Sequence, residues 1–155
     1  MNLSKKIFYN KKILIYGIGK TGNSSYSYLR KNNQIYLYDD NKKISKKKNL
    51  KYFFLNINKI YKIKFDYILV SPGVNIQNCN LKNYLKKNSK KIVTDLDIFY
   101  SDHSKNKIIT ITGTNGKSTT AKLLNLILQN HKRDSRLCGN IGSPILLEKN
   151  ISKKT

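Results

Sequence analysis

Ile108-Ile109-Thr110-Ile111-Thr112-Gly113-Thr114-Asn115-Gly116-Lys117-Ser118-Thr119-Thr120-Ala121-Lys122-Leu123-Leu124-Asn125-Leu126-Ile127-Leu128 passes from a β-branched run, through a loop of small residues, into a helical pattern. The spacing predicts a strand over 108–112, a phosphate loop, and a helix from Lys117 with Leu123, Leu124, Ile127 and Leu128 on one face. Glycines in such a loop let backbone N–H groups converge on phosphate oxygens, and the helix N-terminus adds partial positive charge. Gly113, Thr114, Asn115, Gly116, Lys117, Ser118 and Thr119 are the expected triphosphate contacts, with Lys117 on the β- and γ-phosphates and the Ser118 hydroxyl on Mg²⁺. The loop departs from the strict eight-residue form, which wants glycine where this chain has Ile111.

A second glycine turn lies far upstream. Residues 11–16 read as a short buried strand and run into Gly17-Ile18-Gly19-Lys20-Thr21-Gly22, with a helix expected over 23–31. Residues 34–38 form the next strand and end in Asp39 and Asp40, where a Rossmann-type unit keeps the acid that holds a ribose hydroxyl. Residues 51–55 and 65–70 read as strands. The second of these, almost wholly apolar, belongs in the centre of a parallel sheet and ends at Ser71-Pro72-Gly73. That is where open α/β sheets receive ligands, and Gly73 allows close backbone approach. Helices are expected over 81–88 and 95–100, short strands over 92–94 and 136–138, a solvated lysine-rich loop over 41–49, and a linker over 101–107. Taken alone, the glycine turn fits either NAD or FAD, or the pyrophosphate of a UDP-sugar; the downstream triphosphate loop favours the sugar nucleotide.

The chain has 155 residues and a net charge of +23. That charge raises the possibility of a nucleic-acid surface, yet nearly all of it is lysine dispersed along the chain, without the Arg-aromatic clusters that read bases. Lys, Asn, Ile and Tyr are abundant together and share A/T-rich codons, so base composition is the better explanation and no nucleic-acid partner is expected. No apolar run reaches the roughly 20 residues of a membrane span, so no membrane association is expected and the location reads as cytoplasmic. Cys79 and Cys138 lack metal-like spacing and read as idle thiols; His103 and His131 are isolated.

With these pieces in view, the chain resembles the MurD-type ligases of the Mur ligase superfamily. The resemblance is carried by residues 17–22, Ser71-Pro72-Gly73, Asp95-Leu96-Asp97-Ile98-Phe99, residues 112–119 and Gly139-Asn140-Ile141-Gly142. It implies an α/β architecture, a Rossmann-like parallel-sheet domain over 1–105 followed by the truncated start of a P-loop ATPase-type α/β domain over 106–155. The implied activity is ATP- and Mg²⁺-dependent amide-bond formation between UDP-N-acetylmuramoyl-L-alanine and D-glutamate through an acyl phosphate. Lys117 is then the catalytic lysine and Ser118 the metal ligand, with Gly17, Gly19, Lys20, Thr21, Gly22, Asp39, Ser71, Gly73 and Asn140 on the UDP-sugar. The family often has Thr-Arg after the acid that ends the second strand, near the uracil, and this chain has Asp40-Asn41. The resemblance further implies an N-terminal fragment, inactive alone and monomeric when complete, because the family's later metal ligands and its D-glutamate-binding domain have no counterpart before Thr155. Another Mur-family ligase or a non-catalytic nucleotide-binding Rossmann module are the alternatives.

Overall fold

The computed structural model describes residues 7–45, 53–139, 141–152 and 155. Four strands, β1 (Lys12–Tyr16), β2 (Gln34–Tyr38), β3 (Tyr67–Val70) and β4 (Ile92–Val93), form a parallel sheet in the order β2-β1-β3-β4. The central pair is apolar without alternation because a parallel sheet is covered on both faces. Ile13, Leu14 and Ile15 all have zero exposure.

Successive residues therefore feed two cores. Ile13 and Ile15 join Ile35, Leu37 and Leu69 under helices α1 (Lys20–Leu29) and α5 (Asp95–Asp102), which contribute Tyr26, Leu29, Ile98 and Phe99. Leu14 and Tyr16 join Tyr38, Ile68 and Val70 against α3 (Ile57–Lys62) and α4 (Lys82–Lys87), which contribute Ile60, Tyr84 and Leu85. α2 (Lys42–Ser45) is a single turn within the expected loop. This is the expected Rossmann-like α/β fold, with β1 and β3 central.

Local signals explain the element boundaries. Thr94 and Asp97 make a reciprocal capping box that starts α5, satisfying two backbone donors at once. α1 begins three residues before the expected start, directly after Gly19, whose carbonyl accepts from the Asn23 N–H at 3.0 Å. α3 was not expected. It is too short to show a period, and only the Asn56 cap, accepting from the Lys59 N–H at 2.9 Å, marks it in the sequence.

Three expected strands differ. Of the 51–55 strand, residues 51 and 52 lie outside the described residues, and Phe54 makes only an isolated bridge with Leu37. Residues 136–138 provide one bridge, Cys138 with Ser143. Residues 108–112 pair with nothing among the described residues, and Ile108 and Ile109 are 41% and 62% exposed. A β-branched run becomes a strand only where a neighbour takes up its backbone groups, and none among the described residues does so here.

Helix α6 (Lys117–Asn130) forms as expected, but it carries no fully buried residue, and Leu123, Leu126 and Ile127 are exposed. Beyond it the chain returns to the first core. A 3-10 turn at Ile145–Leu147 packs on α1 and α5, and Leu146 is only 4% exposed.

Truncating Leu69 to Ala in the central strand should cost about 2–5 kcal/mol, read from urea denaturation, whereas Leu123→Ala should stay within about 0.5 kcal/mol. Equal losses would show that the apolar face of α6 is covered in solution.

Candidate nucleotide-binding sites

Register builds the first site. Tyr16 pairs with Tyr38 on one side and Val70 on the other, so the next residue of each strand, Gly17, Asp39 and Ser71, leaves the same edge of the sheet together. Backbone bonds continue the ladder by one step: the Gly17 N–H donates to the Tyr38 carbonyl and the Ser71 N–H to the Tyr16 carbonyl, each at 2.9 Å. Side chains then close the turn. The buried Ser71 Oγ donates to the Gly17 carbonyl at 2.6 Å, and the Ile18 N–H donates to Asp39 Oδ2 at 2.7 Å. Asn23 Nδ2 donates to the carbonyls of Ile18 at 3.1 Å and Gly19 at 3.0 Å.

The glycines divide into two kinds. Gly17 has φ of +88°, and a Cβ there would lie 2.6 Å from Val74 Cγ2; a Cβ on Gly22 would lie 2.0 Å from the Gly17 carbonyl oxygen. Both are demanded by the protein's own packing. Gly19 and Gly73, in contrast, would place a Cβ in open space, so the protein's own packing does not demand a glycine at either. Between them starts α1, a ten-residue helix with no acid in its first turn and the exposed Lys20 as its first residue. Thr21 follows, its carbonyl accepting from Ser24 Oγ at 2.7 Å and Ser25 Oγ at 2.9 Å. Orphan N–H groups, the helix dipole and a lysine together favour an anion at this position.

The two acids after β2 differ. Both oxygens of Asp39 accept backbone N–H groups, from Ile18 and, at 2.9 Å, from Asn41. Asp40 Oδ2 accepts the Tyr16 hydroxyl at 2.6 Å. Burial, and then the bond to Asp40, push the Tyr16 phenol well above its ordinary range, so it stays a donor. Neither the Tyr16–Asp40 bond nor the Asn23 brace was read from the sequence. The one cue was a tyrosine closing an otherwise aliphatic strand.

The second site is the loop before α6. Gly113 and Gly116 have φ of +149° and +76°, values that side-chain-bearing residues rarely adopt, and a Cβ on Gly116 would meet nothing within 4 Å. Gly116 caps a helix of 14 residues, and the loop residues Gly113 to Gly116, with Ser118 and Thr119, are exposed. Lys117 Nζ donates to the carbonyls of Gly113 and, at 2.8 Å, Thr114, so its side chain folds back onto the loop. A glycine loop at a helix start, with a lysine and a hydroxyl in the first helical turn, has the donor chemistry that suits a polyphosphate.

Residues of the first site converge on one sheet edge, and those of the second on the start of α6. Asn140 lies outside the described residues. A Cβ on Gly142 would fall 2.0 Å from the Leu137 carbonyl oxygen, so the backbone of these two residues packs closely. Both cysteines are free; burial pushes the Cys138 thiol up to about 11, which makes it a poor nucleophile. A cleft of about 410 Å³ between Tyr28, Asn32, Asp102 and Glu148 shares no residue with either glycine loop.

A four-stranded parallel sheet covered on both faces, with a braced glycine turn at its carboxyl edge, places the chain in the Rossmann-like α/β class. The family description Mur ligase MurD-like, N-terminal domain, matches residues 11–93, and the chain belongs to that family. It is similar to proteins named UDP-N-acetylmuramoylalanine--D-glutamate ligase. One from Wolbachia sp. subsp. Brugia malayi is 36% identical over 161 residues, covering 96% of this chain and 31% of the relative. Another, from Rickettsia prowazekii, is 36% identical over 152 residues, covering 96% and 33%. A third, from Buchnera aphidicola subsp. Baizongia pistaciae, is 36% identical over 146 residues, covering 90% and 33%. The chain thus spans about a third of the length of the relatives it matches.

Ser71→Ala leaves the Gly17 carbonyl without its partner and should cost about 1–3 kcal/mol in thermal or urea unfolding. Gly22→Ala should cost at least as much through overpacking, and Gly19→Ala should leave the unfolding midpoint almost unchanged. A Gly22→Ala chain as stable as the parent would show that the turn is not packed as described.

Proposed function

We propose that this chain carries the UDP-sugar and ATP phosphate sites of a ligase that joins D-glutamate to UDP-N-acetylmuramoyl-L-alanine. The observation that supports this is the pairing, in one chain, of two glycine loops at helix starts, one on a parallel-sheet edge and one with a lysine and hydroxyl placed for a triphosphate. Relatives with that ligase name align across both. In this reading Gly17, Gly19, Lys20, Thr21, Gly22, Asp39, Ser71, Gly73 and Asn140 serve the UDP-sugar, and residues 106–155 begin the ATP-binding domain.

ATP-dependent amide formation needs a phosphorylated carboxylate, and charge builds up on the transferring phosphoryl group. Residues 113–119 would hold the triphosphate through backbone N–H groups, and Lys117 would neutralise the developing charge. Mg²⁺ would supply further neutralisation between the phosphates, with Ser118 among its ligands. The second substrate, D-glutamate, would be bound outside these two sites. No helix among the described residues is long and apolar enough to cross a membrane. By the family resemblance, the complete ligase would act in the cytoplasm as a monomer.

Isothermal titration of the chain should show UDP-N-acetylmuramoyl-L-alanine binding at least about tenfold more tightly than NAD, and Gly19→Ala should weaken it by a similar factor. Tighter binding of NAD would favour a nucleotide-sensing module instead. In a complete ligase containing this chain, Lys117→Ala should lower turnover by about 10²–10³ and leave sugar-nucleotide affinity nearly intact. Near-normal turnover would remove the ATP-loop assignment.

A further inference from the structure

Three successive peptide groups of the first glycine turn are held by side chains, but not in the same way. The peptide between Gly17 and Ile18 is met at both ends: its carbonyl accepts Ser71 Oγ at 2.6 Å, and its N–H donates to Asp39 Oδ2 at 2.7 Å. The next two are met at the carbonyl end only, and both by one residue. Asn23 Nδ2 donates to the Ile18 carbonyl at 3.1 Å and to the Gly19 carbonyl at 3.0 Å, and the Asn23 backbone N–H donates to the Gly19 carbonyl as well, at 3.0 Å. The N–H groups at the other ends of these two peptides, those of Gly19 and Lys20, donate to nothing among the described residues, and both residues are exposed.

Asn23 lies half-buried in the first turn of α1. Asparagine is a poor helix former, and its usual service at a helix start is to cap backbone N–H groups with its oxygen. Here the amide is turned the other way. Two carbonyls face it, and only its NH₂ end, with two donors, satisfies both. In a trans peptide the N–H points opposite to the C=O, and there is no cis peptide among the described residues. Drawing the two carbonyls back onto Asn23 therefore turns the Gly19 and Lys20 N–H groups away from it, on the exposed side of the turn. Donors fixed before a ligand arrives lower the ordering cost of binding. We propose that Asn23 is the positioning residue of this turn: it touches no ligand itself and aims those two N–H groups at the diphosphate of the sugar nucleotide. This rests on the sugar-nucleotide reading of the site.

Isothermal titration of the 155-residue chain with UDP and with uridine, which lacks the phosphates, isolates the share of affinity that the turn supplies. The parent should bind UDP at least about a hundredfold more tightly than uridine. Asn23→Leu keeps the size of the side chain and removes both donors; it should weaken UDP about tenfold and leave uridine within about twofold. Equal losses for UDP and uridine would show a purely structural role and overturn the assignment alone, as would parental UDP affinity in Asn23→Leu or a parent that binds UDP no better than uridine. A second reading needs no variant. In the nitrogen–proton spectrum of the parent, the Gly19 and Lys20 amide protons should move downfield with UDP and stay in place with uridine. Amides that stay in place at saturating UDP would likewise overturn the assignment. A parent that binds no UDP would overturn the sugar-nucleotide reading together with it.

Discussion

The site depends on a short bond between two strands that are neighbours in the sheet and far apart in sequence. Ser71 Oγ donates to the Gly17 carbonyl at 2.6 Å across a separation of 54 residues, in a buried setting. A carbonyl turned away from its ladder just past a strand end is an orphan acceptor, costly unless something reaches it. Ser71 reaches it because Tyr16 and Val70 are in register, and the same carbonyl backs onto Gly22, where a Cβ would sit at 2.0 Å. Sheet register, glycine turn and the first turn of α1 are thus one packed unit. The exposed N–H groups at the start of α1 take their direction from it.

Acidic residues are scarce in this chain, eight against 31 basic ones, and their placement is correspondingly informative. Among the described residues both ion pairs use Arg136. The carboxylates are spent on donors that fix geometry instead: Asp66 on the Lys12 N–H at 2.8 Å, Asp97 on the α5 cap, Asp102 on the Tyr28 hydroxyl at 2.6 Å, and Asp39 on the turn. The excess of basic over acidic residues leaves a diffuse positive field. Such a field raises the local concentration of polyanions without selecting among them. Selection among polyanions has to come from shape and from groups held in fixed positions.

Much of this was legible because parallel sheets write themselves plainly. Apolar runs within 11–16 and 65–70, each followed by a glycine-bearing turn, marked two strands, the second as central, and the edge where open α/β sheets receive ligands; that β1 is central as well comes from the structure. Which glycine the packing demands and which it does not was not legible, since that depends on Val74 and on the Gly17 carbonyl, contacts made only after folding. Ser71 illustrates the same limit. Its position marked it as a candidate ligand contact, yet its hydroxyl is the brace on which the turn closes.

The region after 107 shows where local pattern stops being sufficient. Lys117–Asn130 is helical because a helix satisfies its own backbone, and Gly116 at φ +76° gives it a clean start. Residues 108–112 have as strong a strand pattern as β3, but a strand's hydrogen bonds belong half to its neighbour. Beside β1 the pattern of β3 becomes a strand; without a neighbour among the described residues, the pattern of 108–112 does not. The phosphate loop between them still takes its shape, because two glycines with positive φ and a lysine reaching back four residues to the Gly113 carbonyl are all it requires. The geometry of the two glycine loops in this chain is therefore local at α6 and tertiary at α1, where the turn exists only once β1, β2 and β3 lie in register.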